Sequence, residues 1–231
     1  MERYRVNEGL VVGRKPLPVG DVILSFVGPE GAAQAVARKA LRPTGRSGRL
    51  SLFHHLRYQV YQKPGNDLPT LTQAELVGRL GGLEAANRFP YASFLAELAY
   101  RLASPEVAGR LWPLLISGLK GVAKHDNPRL VTVWAGWRIL KAAGLAPDLG
   151  GEGTNLLDGR RAERGGVHLG LEGLEMLGAV LRLPGTGAIG ALEENAPIDR
   201  LLQALLSHTR YTVGELGSAG LLANSHAGGR E

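Results

Sequence analysis

Two hydrophobic patterns divide the chain near residue 80. Before it the apolar positions come in short runs or alternate with polar ones, which predicts strands. Gly9–Arg14 is a short apolar-rich run, Gly20-Asp21 a turn signal, and Val22–Val27 a buried strand. Pro29-Glu30-Gly31 turns the chain into a third strand, Ala33–Lys39, and Pro43–Gly48 reads as a flexible basic loop. Phe53–Gln62 alternates, with Leu56, Tyr58 and Val60 on one face and Arg57, Gln59 and Tyr61 on the other. Pro64–Asp67 closes a hairpin loop and Leu71–Glu75 is a short fifth strand. Five short strands suit a small closed barrel; the OB-fold is the commonest case and an SH3-like barrel the alternative.

From Leu80 onward the period is helical. Phe94, Leu95, Leu98 and Leu102 form one stripe; Ser104-Pro105-Glu106 then opens a helix carrying Val107, Leu111, Leu114, Leu115, Leu119 and Val122. Asn127-Pro128 opens another that ends near Gly144. Pro147–Gly166 is Gly-rich and charged, a loop or a degenerate small module. Leu169–Leu183 is helical, Pro184–Gly190 a break, and Pro197–Ser207 and Tyr211–Ala223 two further short helices. The predicted class is α+β: a five-stranded OB-fold barrel over 1–79, a helical domain over 80–146 and 170–224, a small irregular insert at 147–169, and a frayed tail at 225–231.

Charge sharpens this division. The 231 residues carry 27 Lys+Arg and 21 Asp+Glu, a net +6. Residues 1–80 hold 12 basic and 6 acidic side chains and the remainder holds 15 of each, so the barrel carries the whole excess. A localised basic region points to an anionic partner, nucleic acid first. The plainer alternative is a basic surface that only aids solubility. No cysteine is present, which excludes disulfides, thiolate zinc sites, iron–sulfur clusters and a cysteine nucleophile. The N-terminus has no apolar signal-peptide core, and no run of about 18 apolar residues is long enough to span a membrane, so a cytoplasmic protein is expected.

The candidate nucleic-acid contacts are Arg14, Lys15, Arg38, Lys39, Arg42, Arg46, Arg49, Arg57 and Lys63. Phe53, His54, His55, Tyr58 and Tyr61 interleave with them. A groove for single strands needs cations to track phosphates and flat rings to stack bases. Phe53 and Tyr61 are the candidate stacking rings, with core packing as the competing role. Tyr58 shares a face with Leu56 and Val60 and is expected in the core. Gly185–Gly190 matches G-x-G-x-x-G, but a helix and Pro184 precede it and no acid follows at the required distance, so an inter-helix loop is the better reading. The six histidines show no ligand spacing, and neither G-x-S-x-G nor a P-loop occurs. No catalytic constellation, metal or cofactor is expected. Trp112 and Trp134 fit apolar stripes; Trp137 lies at a stripe edge beside Arg138, either a third core ring or a protein contact.

Val22–Lys39, ending in Ala37-Arg38-Lys39, resembles the barrel of the bacterial DNA repair and recombination mediator RecO family. Leu50–His55, Gln59–Gln62 and Gly65–Leu68 resemble its later strands, and Gly144–Leu149 the segment leading into its insert. Many members carry a four-cysteine zinc module there. The corresponding positions near Gly150–Asn155 and Leu169–Gly173 lack cysteine, so zinc is not expected, while Gly165-Gly166-Val167 keeps the look of the turn before the second pair. The resemblance implies a non-catalytic protein that binds single- and double-stranded DNA and anneals complementary strands. It also implies association with RecR and with the C-terminal tail of the single-stranded DNA-binding protein in recombinase loading. An RNA-binding OB module of translation or RNA processing is the alternative, and an enzyme with a spatially assembled site the third.

Overall fold

The computed structural model describes residues 3–41, 50–149, 155–157, 160–162, 166–183, 189–190 and 197–227. It divides into two compact units, residues 1–81 with 99–112, and residues 82–98 with 113–231. Residues 99–112 thus fold with the barrel, a piece that a linear division at residue 79 does not include.

The first unit is a barrel of β1 (Tyr4–Pro16), β2 (Val22–Gly28), β3 (Gly31–Ala37), β4 (His54–Tyr61) and β5 (Thr70–Arg79), closed in the order β1-β2-β3-β5-β4. The parallel β3–β5 seam is narrow, with Val36 opposite Thr70 and Val36 N–H donating to Pro69 O at 2.9 Å. Closure needs a stagger between strands. The register from Tyr4 through Tyr61, Thr70, Val36 and Ile23 accordingly arrives back on β1 at Lys15 rather than at Tyr4. β1 is long enough for this because it serves two neighbours, β4 from Tyr4 to Leu10 and β2 from Leu10 onward. A bulge between Val11 and Gly13 preserves the alternation.

Val11, Val22, Leu24, Phe26, Ala35, Leu56, Tyr58 and Val60 fill the barrel. The alternation of Leu56, Tyr58 and Val60 inward against Arg57, Gln59 and Tyr61 outward holds in the structure. Gly28 is sterically required: a Cβ there would lie 2.0 Å from Glu8 O. Phe53 precedes β4 instead of starting it. Its φ of 61° puts it in the left-handed region, its N–H donates to Val11 O at 2.8 Å, and its carbonyl accepts from Leu80 N–H at 3.1 Å. β1 and β5 both extend well beyond the apolar runs that predict them.

The second unit takes most of its residues from α1 (Phe89–Leu102), α2 (Pro105–Lys124), α3 (Pro128–Ala142), α4 (Gly170–Arg182), α5 (Ile198–Thr212) and α6 (Gly217–Ala227). Asn127 caps α3 as its position suggests, Oδ1 accepting from Leu130 N–H at 3.1 Å. Gly144, at φ 78°, ends it, with Leu145 N–H returning to Leu140 O at 2.8 Å. α3 is buried on nearly every side from Leu130 to Leu140. Trp137 is fully enclosed and joins Trp134 in the core, whereas Trp112 is only partly buried. At Gly136 a Cβ would lie 2.5 Å from Leu205, so α5 packs against bare backbone.

The C-terminal helices differ from expectation. A break was expected between Ser207 and Tyr211, where the sequence turns polar, but α5 runs on to Thr212. His208 and Thr209 are buried there; His208 Nε2 bonds Leu145 O at 2.7 Å, whereas His208 Nδ1 and Thr209 Oγ1 have no hydrogen-bond partner. The break falls at Gly214, whose φ is 97°. α6 continues through Ala227, into the stretch expected to fray, and 228–231 lie outside the described residues. Between α3 and α4 the insert forms a three-stranded antiparallel sheet, β7 (Arg160–Ala162), β6 (Asn155–Leu157) and β8 (Val167–His168) in that order. With no cysteine the insert offers no thiolates, and no group of three His, Asp or Glu among the described residues could hold a metal ion. Residues 184–188, most of the glycine motif, lie outside the described residues, and α4 rather than a strand leads into them.

Candidate nucleic-acid interface

The barrel sorts the sequence-predicted cations into different environments. Lys15 lies on the outward row that runs through Ile23, Val36 and Thr70 to Tyr61 and Tyr4, and it is exposed. Arg14, one residue earlier, pairs with buried Leu24; it is half-buried with its Nε shielded from solvent. It is therefore a poorer phosphate contact than its neighbour. Arg38 and Lys39 follow β3 and are exposed. Lys39 is left-handed (φ 54°), its N–H donates to Asp21 Oδ1 at 2.7 Å, and Leu41 N–H donates to Gly20 O at 3.0 Å. These bonds hold the two cations beside the β1–β2 turn, at the end of β1 that carries Lys15.

Arg57 is exposed on β4 but stands in register between Glu8 and Glu75, so a strand of phosphates meets acid on either side of it. Lys63 is exposed in the β4–β5 loop. Arg42, Arg46 and Arg49 lie outside the described residues.

The aromatic candidates separate cleanly. Phe53 is 1% exposed, so it cannot stack a base; its left-handed backbone turns the ring into the core. Tyr61 is half-exposed and pairs with Tyr4 across β1–β4, ring centroids 5.0 Å apart and tilted 44°. Tyr4 is 55% exposed. This pair, at the end of the Lys15 row, is an exposed ring surface on the barrel. Tyr58 stacks on Phe26 instead, and burial pushes its hydroxyl well above the usual phenol range.

Sequence reasoning missed Arg3, Arg5 and Tyr4. Residues 3–7 alternate cation, ring, cation, aliphatic, amide, and the period-2 pattern was the available signal; the polar majority hid the strand. Tyr4 and Val6 face outward. Arg3, Arg5 and Asn7 face the other way and, with Tyr58, Val60 and Gln62 of β4, line a cleft of about 420 Å³ that also borders Glu30–Gln34. It opens beside the part of β1 that precedes its pairing with β2.

His55 and Glu8 also meet: Nε2 lies 2.9 Å from Oε1, and the imidazole meets Trp112 edge-on at 5.4 Å. A histidine–carboxylate pair is what an enzyme reading looks for. Here the ring is wedged between a carboxylate and an indole, which suits a ring that ties β4 to β1 and to the 99–112 segment.

Comparison with known proteins bears on this barrel directly. Residues 1–80 match the family model described as recombination protein O N terminal. Over 155 residues, 64% of this chain and 54% of its own length, the DNA repair protein RecO of Heliobacterium modesticaldum is 33% identical. Over 156 residues, 64% of this chain and 60% of its own, the DNA repair protein RecO of Symbiobacterium thermophilum is 35% identical. Residues 1–80 are thus similar to the N-terminal domain of the RecO family. The chain spans little more than half the length of these curated relatives. The matched segment, residues 1–80, includes Arg3, Arg5, Lys15, Arg38, Arg57 and the Tyr4–Tyr61 pair. The helical unit contributes a second cleft of about 520 Å³ between α5, α6 and Phe94, lined by Leu206 and Leu216, with an Arg210–Glu215 pair at 2.5 Å. No helix among the described residues is long and apolar enough to cross a membrane.

Proposed function

We propose that this chain is a DNA repair and recombination mediator that holds DNA through its barrel, without catalysing a reaction of its own. The observation that carries the reading is the set of exposed cations, Lys15, Arg38, Lys39 and Lys63, on a closed five-stranded barrel that also presents the Tyr4–Tyr61 pair. Such a surface holds a phosphate backbone without selecting its sequence. Two strands held by their phosphates keep their base edges available, and that is the chemical basis for annealing. The names of the relatives favour DNA over RNA. RecR and the acidic tail of the single-stranded DNA-binding protein are the proposed protein partners, and the apolar cleft of the helical unit supports a docking role for that unit.

A strand-annealing assay with complementary oligonucleotides is the test, because binding alone does not separate a mediator from a general OB module. Acceleration of annealing, with matched DNA competing better than RNA, is expected. An RNA preference would point to the RNA-processing alternative. No acceleration despite tight binding would overturn the mediator role. A tail peptide that fails to bind the full chain would remove the partner half.

A further inference from the structure

We propose that the Arg3–Arg5 cleft takes a single unstacked nucleobase from the bound strand and favours guanine, with Glu30 as the group that selects it. This rests on the barrel binding single-stranded DNA.

The cleft presents both signs of charge. Arg3 and Arg5 enter from β1 and its approach, both exposed, and Glu30 enters from the β2–β3 turn, also exposed. Glu8 borders the cleft too, but its Oε1 lies 2.9 Å from His55 Nε2, which leaves Glu30 as the carboxylate for a ligand. Two of the neighbouring amides are engaged through Nε2. Gln34 Nε2 donates to Ser25 Oγ at 3.2 Å and Gln62 Nε2 donates to Asn66 O at 2.5 Å. The charge of Glu30 also reaches the buried Tyr58 hydroxyl at the cleft wall.

A cleft that a carboxylate lines together with two guanidiniums is ill-suited to hold a phosphate, which the carboxylate would repel. It suits a base. Guanine alone offers a carboxylate two adjacent donors, N1–H and N2–H, and at the same time offers an arginine two acceptors, O6 and N7. Adenine and cytosine bring one amino group, and thymine a single ring N–H. A volume of about 420 Å³ accommodates one base with its sugar but not a stacked run. The flanking phosphates would then pass outside the cleft, toward Lys63 on one side.

The test is fluorescence anisotropy of the full chain with a short oligothymidylate and with the same strand carrying one central dG, dA, dC or deoxyinosine. The dG strand should bind about fivefold tighter than the others. Deoxyinosine, which lacks the N2 amino group, should lose most of that gain. Glu30→Gln, at an exposed turn position, should abolish the preference while oligothymidylate affinity stays within about twofold. Equal binding of all four bases, or a preference that survives Glu30→Gln, would overturn the inference and leave the DNA-binding reading intact. Failure to bind oligothymidylate at all would overturn that reading, and this inference with it. Displacement of the dG strand by an equal concentration of free dGMP would contradict a site for a base within a strand.

Discussion

Phe26 of β2 and Tyr58 of β4 stack inside the barrel with centroids 4.1 Å apart and planes 16° from parallel. The stack joins strands on opposite walls, and both residues are nearly inaccessible. Phe26→Ala should therefore cost about 3–5 kcal/mol of stability, the range for emptying an aromatic core site. Chemical denaturation monitored by circular dichroism would measure it. A loss of under about 1 kcal/mol would mean that the barrel is not held together through this contact.

The same burial sets a spectroscopic signature. Burial first, and the charge of Glu30 second, raise the pKa of Tyr58. In an absorbance titration the tyrosinate signal of wild type and Tyr58→Phe should coincide as exposed phenols ionise near pH 10. They should separate only at higher pH, where the wild type gains one further phenolate or unfolds.

Glu97 ends at the start of α6, where its carboxylate accepts from Gly217 N–H at 3.1 Å, Ser218 N–H at 2.8 Å and Ser218 Oγ–H at 2.6 Å. A side chain from α1 thus caps another helix, whose first N–H groups have no partners within it. Glu97→Ala should cost about 1–2 kcal/mol and speed amide exchange at the beginning of α6. Unchanged exchange there would show that α6 is fixed by packing alone.

Stability should fall in acid because of His208. Its Nε2 bonds Leu145 O at 2.7 Å, its ring packs against Trp137, and burial holds its pKa below the usual imidazole value. The unfolded chain therefore binds this proton more readily than the folded one, and stability rises with pH across the interval between the two values. Below about pH 6.5 the wild type should lose stability relative to His208→Gln, whose amide can still donate to Leu145 O without titrating. Parallel pH dependences for the two proteins would contradict this role.

Much of this was legible in the sequence, in proportion to how local the signal was. Val22–Val27 and the alternation through Val60 report burial directly, and Asn127-Pro128 and Gly144 report helix ends through capping chemistry that needs no tertiary information. The errors arose where a distant group decided the outcome. Phe53 looked like the first residue of a strand, but Val11 and Leu80 hold its backbone left-handed. His208 and Thr209 read as a break in the sequence, but both are buried, and Leu145 supplies His208 Nε2 a partner from 63 residues away. The cations show the same limit: Arg14 and Lys15 are equal in sequence, and the register alone makes one half-buried and the other exposed. The cleft was invisible because it joins Arg3 and Arg5 to Glu30 only after the barrel closes.

That difference predicts an order among charge reversals. Arg38→Glu with Lys39→Glu, and Arg3→Glu with Arg5→Glu, should each weaken single-strand binding strongly. Arg57→Glu should have a smaller effect, because Glu8 and Glu75 already flank that position. Oligonucleotide titrations of the three variants, each checked for folding by circular dichroism, would rank them; a dominant Arg57 would place the strand along the middle of β4 instead.

The most direct test of the DNA-binding barrel is the affinity of the full chain for a labelled single strand across a salt series. Each phosphate neutralised on a single strand contributes about −0.7 to the slope of log affinity against log salt. The wild type should therefore give a steep negative slope, reduced by about 0.7 for each contacting cation reversed among Lys15, Arg38 and Lys39. A flat salt response, or a slope unchanged when all three are reversed, would contradict the account.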